Sequence, residues 1–333
     1  MIIITIFVLF ITNRGSAETE TLKIYDAFDT YSEITIPKSG KSAEILLEMS
    51  DYLHGLDAKL SPYNAESEIS RLNEAAGVSA VQLSPEVLDI LDKSMKYSLE
   101  TNGFFDITIG ALYNLWGFGT DNPKVPAPEE LSDAIHKTGY SFLQLDKASG
   151  TAMLTKEGVS IDLGAIAKGY AADELIEILK KHKINSSLIN LGGNIYSLGA
   201  LADGTPRSIG IQDPADSAKL IGSIEASNLA VITSGDYIRY FEQDGTRYHH
   251  ILNPYTGAPA NSGIKSVTII SDNATLADAL STACFVIGYE NSLPLLKEFG
   301  AEAIFVTNTE VLYTSGIAER FKHDNSSYEY KAV

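Results

Sequence analysis

Residues Ser187-Leu188-Ile189-Asn190-Leu191-Gly192-Gly193-Asn194-Ile195-Tyr196-Ser197-Leu198 set two short β-prone runs, 187–190 and 195–198, on either side of a glycine-bearing turn. A parallel pair needs a crossover of about a dozen residues or more, and this turn leaves no room for one. Working outward, further β-branched or alternating runs fall at 142–145, 159–161, 209–211, 221–224, 231–233, 266–270, 303–306 and 311–313. Helical periodicity intervenes at 166–182 and 276–287. Upstream, Ile45, Met49, Leu53, Leu56 and Leu60 mark one helical stripe. Val87, Leu91, Met95 and Leu99 mark another behind Ser84-Pro85, a cap residue and a first-turn proline. A short helix is expected at 131–138, a polar turn-rich segment at 61–73, and a surface loop at 117–128, the one candidate domain boundary. The strands are too closely spaced for a regular βαβ repeat. The expected class is therefore α+β, with mixed or antiparallel sheets and packed helices.

Of 333 residues, 44% are hydrophobic and 20% charged, which excludes a disordered chain; no repeated long apolar run supports a polytopic membrane protein. With 25 basic and 43 acidic side chains the net charge is −18, and no basic face clusters, which argues against nucleic-acid binding. Any phosphate chemistry would need a cation from outside. Cys284, the single cysteine, sits in an apolar helical run and reads as a buried inert thiol. Residues 1–17, an apolar run closed by Ser16-Ala17, read as a secretory leader, with 18–333 as the working domain. The expectation is an exported, periplasmic or otherwise extracytoplasmic protein, soluble or peripherally membrane-associated. No cysteine at the leader's end offers a lipid attachment point.

Five segments combine polar groups with small residues. Ser160-Ile161-Asp162-Leu163-Gly164-Ala165-Ile166-Ala167-Lys168-Gly169-Tyr170 reads as a strand ending on aspartate, a tight turn and a helix start with a cation in its first turn. A phosphate cradle and an ordinary capped turn both fit it. Leu276 to Ala283 puts Asp278 and Thr282 one turn apart, half of a hard-cation site that suits Mg²⁺ better than zinc. The competing reading has Thr282 bonded back to the Asp278 carbonyl. In His249 to Gly257, Asn253, Pro254 and Gly257 have turn chemistry as their account, and His250 reads either as a ligand hydrogen-bonder or as a satisfied strand histidine. No zinc-type histidine spacing and no nucleophile elbow is present. Phe104 to Trp116 and Ser61 to Asn73 supply aromatics that either stack on a planar ring or pack beneath their loops.

Together, Tyr63 in Ser61-x-Tyr63-x₃-Ser67-Glu68-Ile69-Ser70-Arg71-Leu72-Asn73, Asp106 in Phe105-Asp106-Ile107-Thr108, Asp162 to Gly169, Gly192-Gly193-Asn194, Thr233 to Tyr237, His250 to Gly257, and Asp278 to Thr282 resemble the ApbE family of FAD:protein FMN transferases. The likeness runs in order from about Phe28 to Tyr313. It implies an ApbE-like (T-fold-like) α+β architecture, FAD as donor, Mg²⁺ as cofactor, release of AMP, and a Thr or Ser hydroxyl of a partner protein as acceptor. That partner would carry a flavinylation motif and be a subunit of a membrane redox complex. By the same likeness Mg²⁺ is held by Ala165, Asp278 and Thr282, and FAD contacts Phe28, Tyr63, Phe104, Phe105, Asp106, Asp162, Lys168 and Leu252. His250 and Asp278 are the candidate catalytic groups, either able to act as base. The family's target pattern, Asp-x-x-(Ser/Thr)-Gly-Ala-(Ser/Thr), is absent from this chain, so the acceptor is a separate protein. An FAD pyrophosphatase and a non-catalytic exported flavin-binding protein are the competing expectations.

Overall fold

The computed structural model of the protein describes residues 18–333, and the leader expected over 1–17 lies outside them. A hairpin of β1 (Thr19–Ala27) and β2 (Thr30–Pro37) opens the fold. There follow α1 (Ser42–Leu60), α2 (Glu68–Glu74), β3 (Val81–Gln82), α3 (Pro85–Glu100), α4 (Gly110–Trp116), α5 (Pro128–Ile135), β4 (Leu143–Asp146), β5 (Thr151–Leu154) and α6 (Ala167–Lys181). The second half holds β6 (Ser187–Leu191), β7 (Asn194–Leu198), β8 (Arg207–Asp213), β9 (Asp216–Ala226), β10 (Leu229–Gly235), β11 (Tyr240–Gln243), β12 (Thr246–His249), β13 (Ser266–Ser271), α7 (Ala274–Ile287), α8 (Tyr289–Phe299), β14 (Glu302–Val306), β15 (Glu310–Tyr313), β16 (Phe321–His323) and β17 (Glu329–Ala332).

The Gly192–Gly193 turn joins β6 and β7 as antiparallel neighbours, as the spacing requires. They lie inside a nine-stranded sheet of order β1-β2-β6-β7-β10-β13-β14-β15-β17, in which only β15 and β17 run parallel. Side-chain alternation divides its strands between two apolar layers. Ile232, Val267 and Ile269 point to one face, where Met49 and Leu53 of α1, Leu175 of α6 and Leu280 of α7 cover them. Val231 and Ile270 point to the other, against Ile209, Ile211, Ile221 and Ile224 of a three-stranded sheet ordered β16-β9-β8. With both faces covered, the central strands read as continuous apolar runs. A third cluster, built on Leu112, Trp116, Phe118 and Leu252, sits outside these layers and holds the β11–β12 hairpin through Phe241 and Tyr248.

Several expectations need correction. Residues 159–161 form no strand; Ser160 makes one bridge, to Ile109. The Asn73 side chain satisfies Ile161 instead, Oδ1 accepting its N–H at 2.7 Å and Nδ2 donating to its carbonyl at 3.0 Å. Ser84 precedes α3 as expected, but its hydroxyl caps nothing, and its N–H donates to Glu68 at 2.6 Å. The buried stripe of α3 runs Val87, Ile90, Leu91, Ser94 and Tyr97, leaving Leu99 exposed. The polar 61–73 segment contains α2, whose N-cap Ser67 accepts the Ser70 N–H at 2.9 Å. Sequence reading passed over β1, β2, the β11–β12 hairpin, α4 and α8. Cys284 is fully buried as expected, and burial pushes its thiol up to about 12.

Candidate active site

Two helices distant in sequence meet where the candidate cation ligands lie. α6 crosses α7 at Gly169, where an added Cβ would stand 2.3 Å from the Ala274 carbonyl oxygen and 2.7 Å from the Asp278 Cβ. Only glycine permits that approach. The contact is locked from both sides. Asp173 of α6 caps α7, accepting the Ala274 and Thr275 N–H groups at 2.9 and 2.8 Å. Asp278 of α7 returns the arrangement, its Oδ2 accepting the Gly169 N–H at 2.9 Å and its Oδ1 accepting from Asn194 Nδ2 at 2.9 Å. Asn194 belongs to the β6–β7 turn, so the segment that decides the fold also aims this carboxylate. Asp278 is 4% exposed, and such a buried charge persists only because these donors meet it.

Thr282, one turn further along α7, is half-buried and its hydroxyl has no hydrogen-bond partner among the described residues. The back-bond considered for it is made by Ser281, which donates to the Asp278 carbonyl at 2.8 Å and sits 2.7 Å from the Ser234 hydroxyl. On the α6 side, Asp162 Oδ1 accepts the Gly164 N–H at 2.7 Å, fixing the turn that presents Ala165. Lys168 Nζ folds back to the Gly164 carbonyl at 3.2 Å. Burial raises the Asp162 carboxyl, while the Gly164 N–H, Arg239 and Lys168 pull it the other way.

His250 continues the β11–β12 register, in which Tyr240 faces His249. Its N–H donates to the Arg239 carbonyl at 3.0 Å and its Nδ1 contacts the same oxygen at 3.1 Å. A carbonyl only accepts, so Nδ1 carries the proton and Nε2 keeps a lone pair. Burial, then the Arg239 charge, holds this imidazole down at about 3. The neighbouring His249 is spent on structure, its Nε2 bonding to the Ala260 carbonyl at 3.0 Å. Arg239 lies two residues beyond the Thr233–Tyr237 motif and carries no sequence signal of its own. The residue is exposed overall, its guanidinium forms no ion pair among the described residues, and burial there is offset by Tyr113, Asp29 and Tyr63, which hold its charge.

The aromatic side is built from turns. Asp106 is buried and saturated by the chain, Oδ1 accepting from Thr108 N and Oγ1 at 2.8 and 2.7 Å and Oδ2 from Tyr140 N at 2.7 Å. Burial raises its carboxyl. It lines a cavity of about 210 Å³ with Gly103, Thr138, Tyr140 and Tyr255. Phe104 meets Tyr255 edge-on at 5.2 Å. The Asn253 turn is as its residues suggest: Oδ1 accepts the Tyr255 N–H at 2.9 Å, the carbonyl accepts the Gly257 N–H at 2.8 Å, and Trp116 Nε1 donates to Gly257 at 2.7 Å. Phe105 and Leu252 have buried side chains, so each can offer a ligand little besides main chain. Tyr63 stands 61% exposed. Phe28 and Asp29 form the β1–β2 turn with φ of +55° and +49°, a left-handed pair unusual for a bulky residue.

The donor set fits a hard cation. Among the described residues no group of three or more His, Cys, Asp or Glu side chains gathers, so a cation here would rely on the single carboxylate of Asp278 with a hydroxyl such as Thr282 and a main-chain carbonyl such as Ala165. That sparse all-oxygen set matches magnesium, which keeps waters and substrate phosphates in its shell. Asp278 retains acceptor capacity beyond its two internal donors, and the Thr282 hydroxyl is uncommitted.

Comparison with known proteins places the chain in a family. The model of the ApbE family matches residues 28–305. A Treponema pallidum protein named FAD:protein FMN transferase is 35% identical over 314 residues, covering 88% of this chain and 86% of its own. The apo crystal structure of the Pseudomonas stutzeri flavinyl transferase ApbE superposes with a TM-score of 0.82 at 30% identity, over 94% of this chain and 100% of that one. The ApbE protein of Thermotoga maritima gives 0.81 at 33% identity, over 93% and 98%. Sequence, fold and the meeting of the α6 turn with α7 thus point one way: the chain belongs to the ApbE family and is a transferase.

Proposed function

We propose that the protein is a Mg²⁺-dependent FAD:protein FMN transferase acting on a Thr or Ser hydroxyl of a separate acceptor protein. The observation that carries this reading is the 2.9 Å bond from Gly169 N–H to Asp278, which sets a carboxylate beside the first turn of the Lys168 helix. The acceptor oxygen attacks the FMN-side phosphorus, the bridging P–O bond breaks, AMP leaves with that oxygen, and the hydroxyl proton passes to a base. His250 Nε2 is the base we favour, because Nδ1 is committed to the Arg239 carbonyl and leaves the Nε2 lone pair to accept the proton. Asp278, Thr282 and the Ala165 carbonyl would hold magnesium, which supplies charge neutralisation on the pyrophosphate. Lys168 adds a cation from the turn, and the exposed Tyr63 and the half-buried Phe104 offer ring faces to the flavin or adenine. The apolar residues 1–11 support a site of action outside the cytoplasm.

Mass spectrometry of a peptide carrying the Asp-x-x-Thr-Gly-Ala-Thr pattern tests the proposal. With FAD and Mg²⁺ the peptide gains one FMN and AMP accumulates in equal amount. Free FMN without adduct would instead mark a pyrophosphatase.

A further inference from the structure

We propose that the Arg239 guanidinium binds the pyrophosphate of FAD, as a second cation opposite Lys168. This rests on the functional reading above and extends it to a residue that the sequence motifs left out. The placement is geometric. Trp116 of α4 lies 6.2 Å from Phe241 and 5.5 Å from Tyr248, so the β11–β12 hairpin is pinned to α4 by its rings. Arg239 precedes β11, and its carbonyl takes both the N–H and the Nδ1–H of His250. The backbone of one residue therefore sets the tautomer of the base, while its side chain lies beside Tyr113 and makes no ion pair among the described residues. Tyr113, on the same face of the cluster as Trp116, flanks that side chain.

Arg239 and Lys168 approach a common pair of groups, Asp162 and His250, from two different elements. The hairpin brings one cation and the α6 turn brings the other. A chain with net charge −18 has few cations to place around a dianionic ligand, and here two act on the same groups, with no carboxylate within ion-pairing distance of Arg239 among the described residues. A planar guanidinium can engage two phosphoryl oxygens at once, which an ammonium cannot. The competing account is an exposed arginine that merely balances Asp29 and Asp162.

The test uses the full chain and its Arg239→Gln and Arg239→Lys variants, with Mg²⁺ present, against FAD and riboflavin by titration calorimetry and against FAD in the transfer assay. Arg239→Gln should weaken FAD binding at least tenfold and slow transfer at least tenfold, with riboflavin affinity within twofold of wild type. Arg239→Lys should recover part of the FAD affinity. FAD affinity and rate both within twofold in Arg239→Gln overturn the proposal, as does an equal loss for riboflavin and FAD, which marks a purely structural role. A wild-type chain that binds FAD with this Arg239 dependence but transfers nothing leaves the phosphate contact standing and sinks the transferase reading. A wild-type chain that does not bind FAD sinks both.

Discussion

Asp278 joins a structural role to the proposed role as a metal ligand, and one substitution separates the two badly. Alanine would leave the Gly169 N–H and the Asn194 amide without their acceptor in a buried site, so loss of activity would be confounded with unfolding. Asp278→Asn keeps one acceptor oxygen and orphans one donor, at about 1–3 kcal/mol, or a fall of a few degrees in Tm. Removing supporting groups around a metal costs about 10–100-fold, so replacing a proposed ligand should cost transfer more than about 100-fold. A thermal melt alongside the transfer assay checks both. His250 gives a prediction in pH. Its folded value near 3 lies below that of a solvated histidine, so the unfolded chain binds a proton that the native site refuses. Stability should fall as pH drops from about 6.5 towards 3 and be untouched above that window. Melts at pH 7.5 and pH 5 should show wild type losing more than His250→Asn. The transfer rate should show no inflection near pH 6.5, since His250 stays neutral there. Sequence alone left His250 open between ligand contact and strand packing, because the deciding partner is a carbonyl eleven residues away on the other arm of a hairpin that was not foreseen.

At the scale of elements, the α6–α7 crossing builds the candidate site, and it depends on the missing side chain at position 169. Gly169→Ala drives a methyl into the Ala274 carbonyl and should destabilise by about 1–3 kcal/mol while shifting Asp278 away from the Lys168 turn. A circular-dichroism melt measures the first effect and FAD titration the second. The β1–β2 turn offers the opposite outcome. Phe28-Asp29 occupies left-handed conformations that Asn-Gly adopts far more easily, so that replacement should raise Tm while weakening FAD binding if the Phe28 ring touches the flavin. Both helices were legible from their periodicity, and the shared face of Asp278 and Thr282 from their spacing. Their meeting was not, because the bonds that create it span 101, 102 and 109 residues. The 159–161 segment misled for a related reason: its pairing partner is the Asn73 side chain, and side-chain pairing leaves no alternating pattern to read.

Across the whole molecule, the nine-stranded sheet carries helices on one face and a small sheet on the other, and the candidate site lies where the β6–β7 turn, α6 and α7 meet. The net charge of −18 makes an anionic donor costly to hold without a divalent cation. The α+β class followed from strand spacing, whereas the strand order and the second apolar layer depend on long-range pairing that no local pattern encodes. The most direct measurement is FMN transfer to an acceptor peptide by the wild-type chain and Asp278→Asn, each with Mg²⁺ or with EDTA. The account predicts an FMN adduct and matching AMP only for wild type with Mg²⁺. An adduct formed equally by Asp278→Asn, or equally in EDTA, would contradict it.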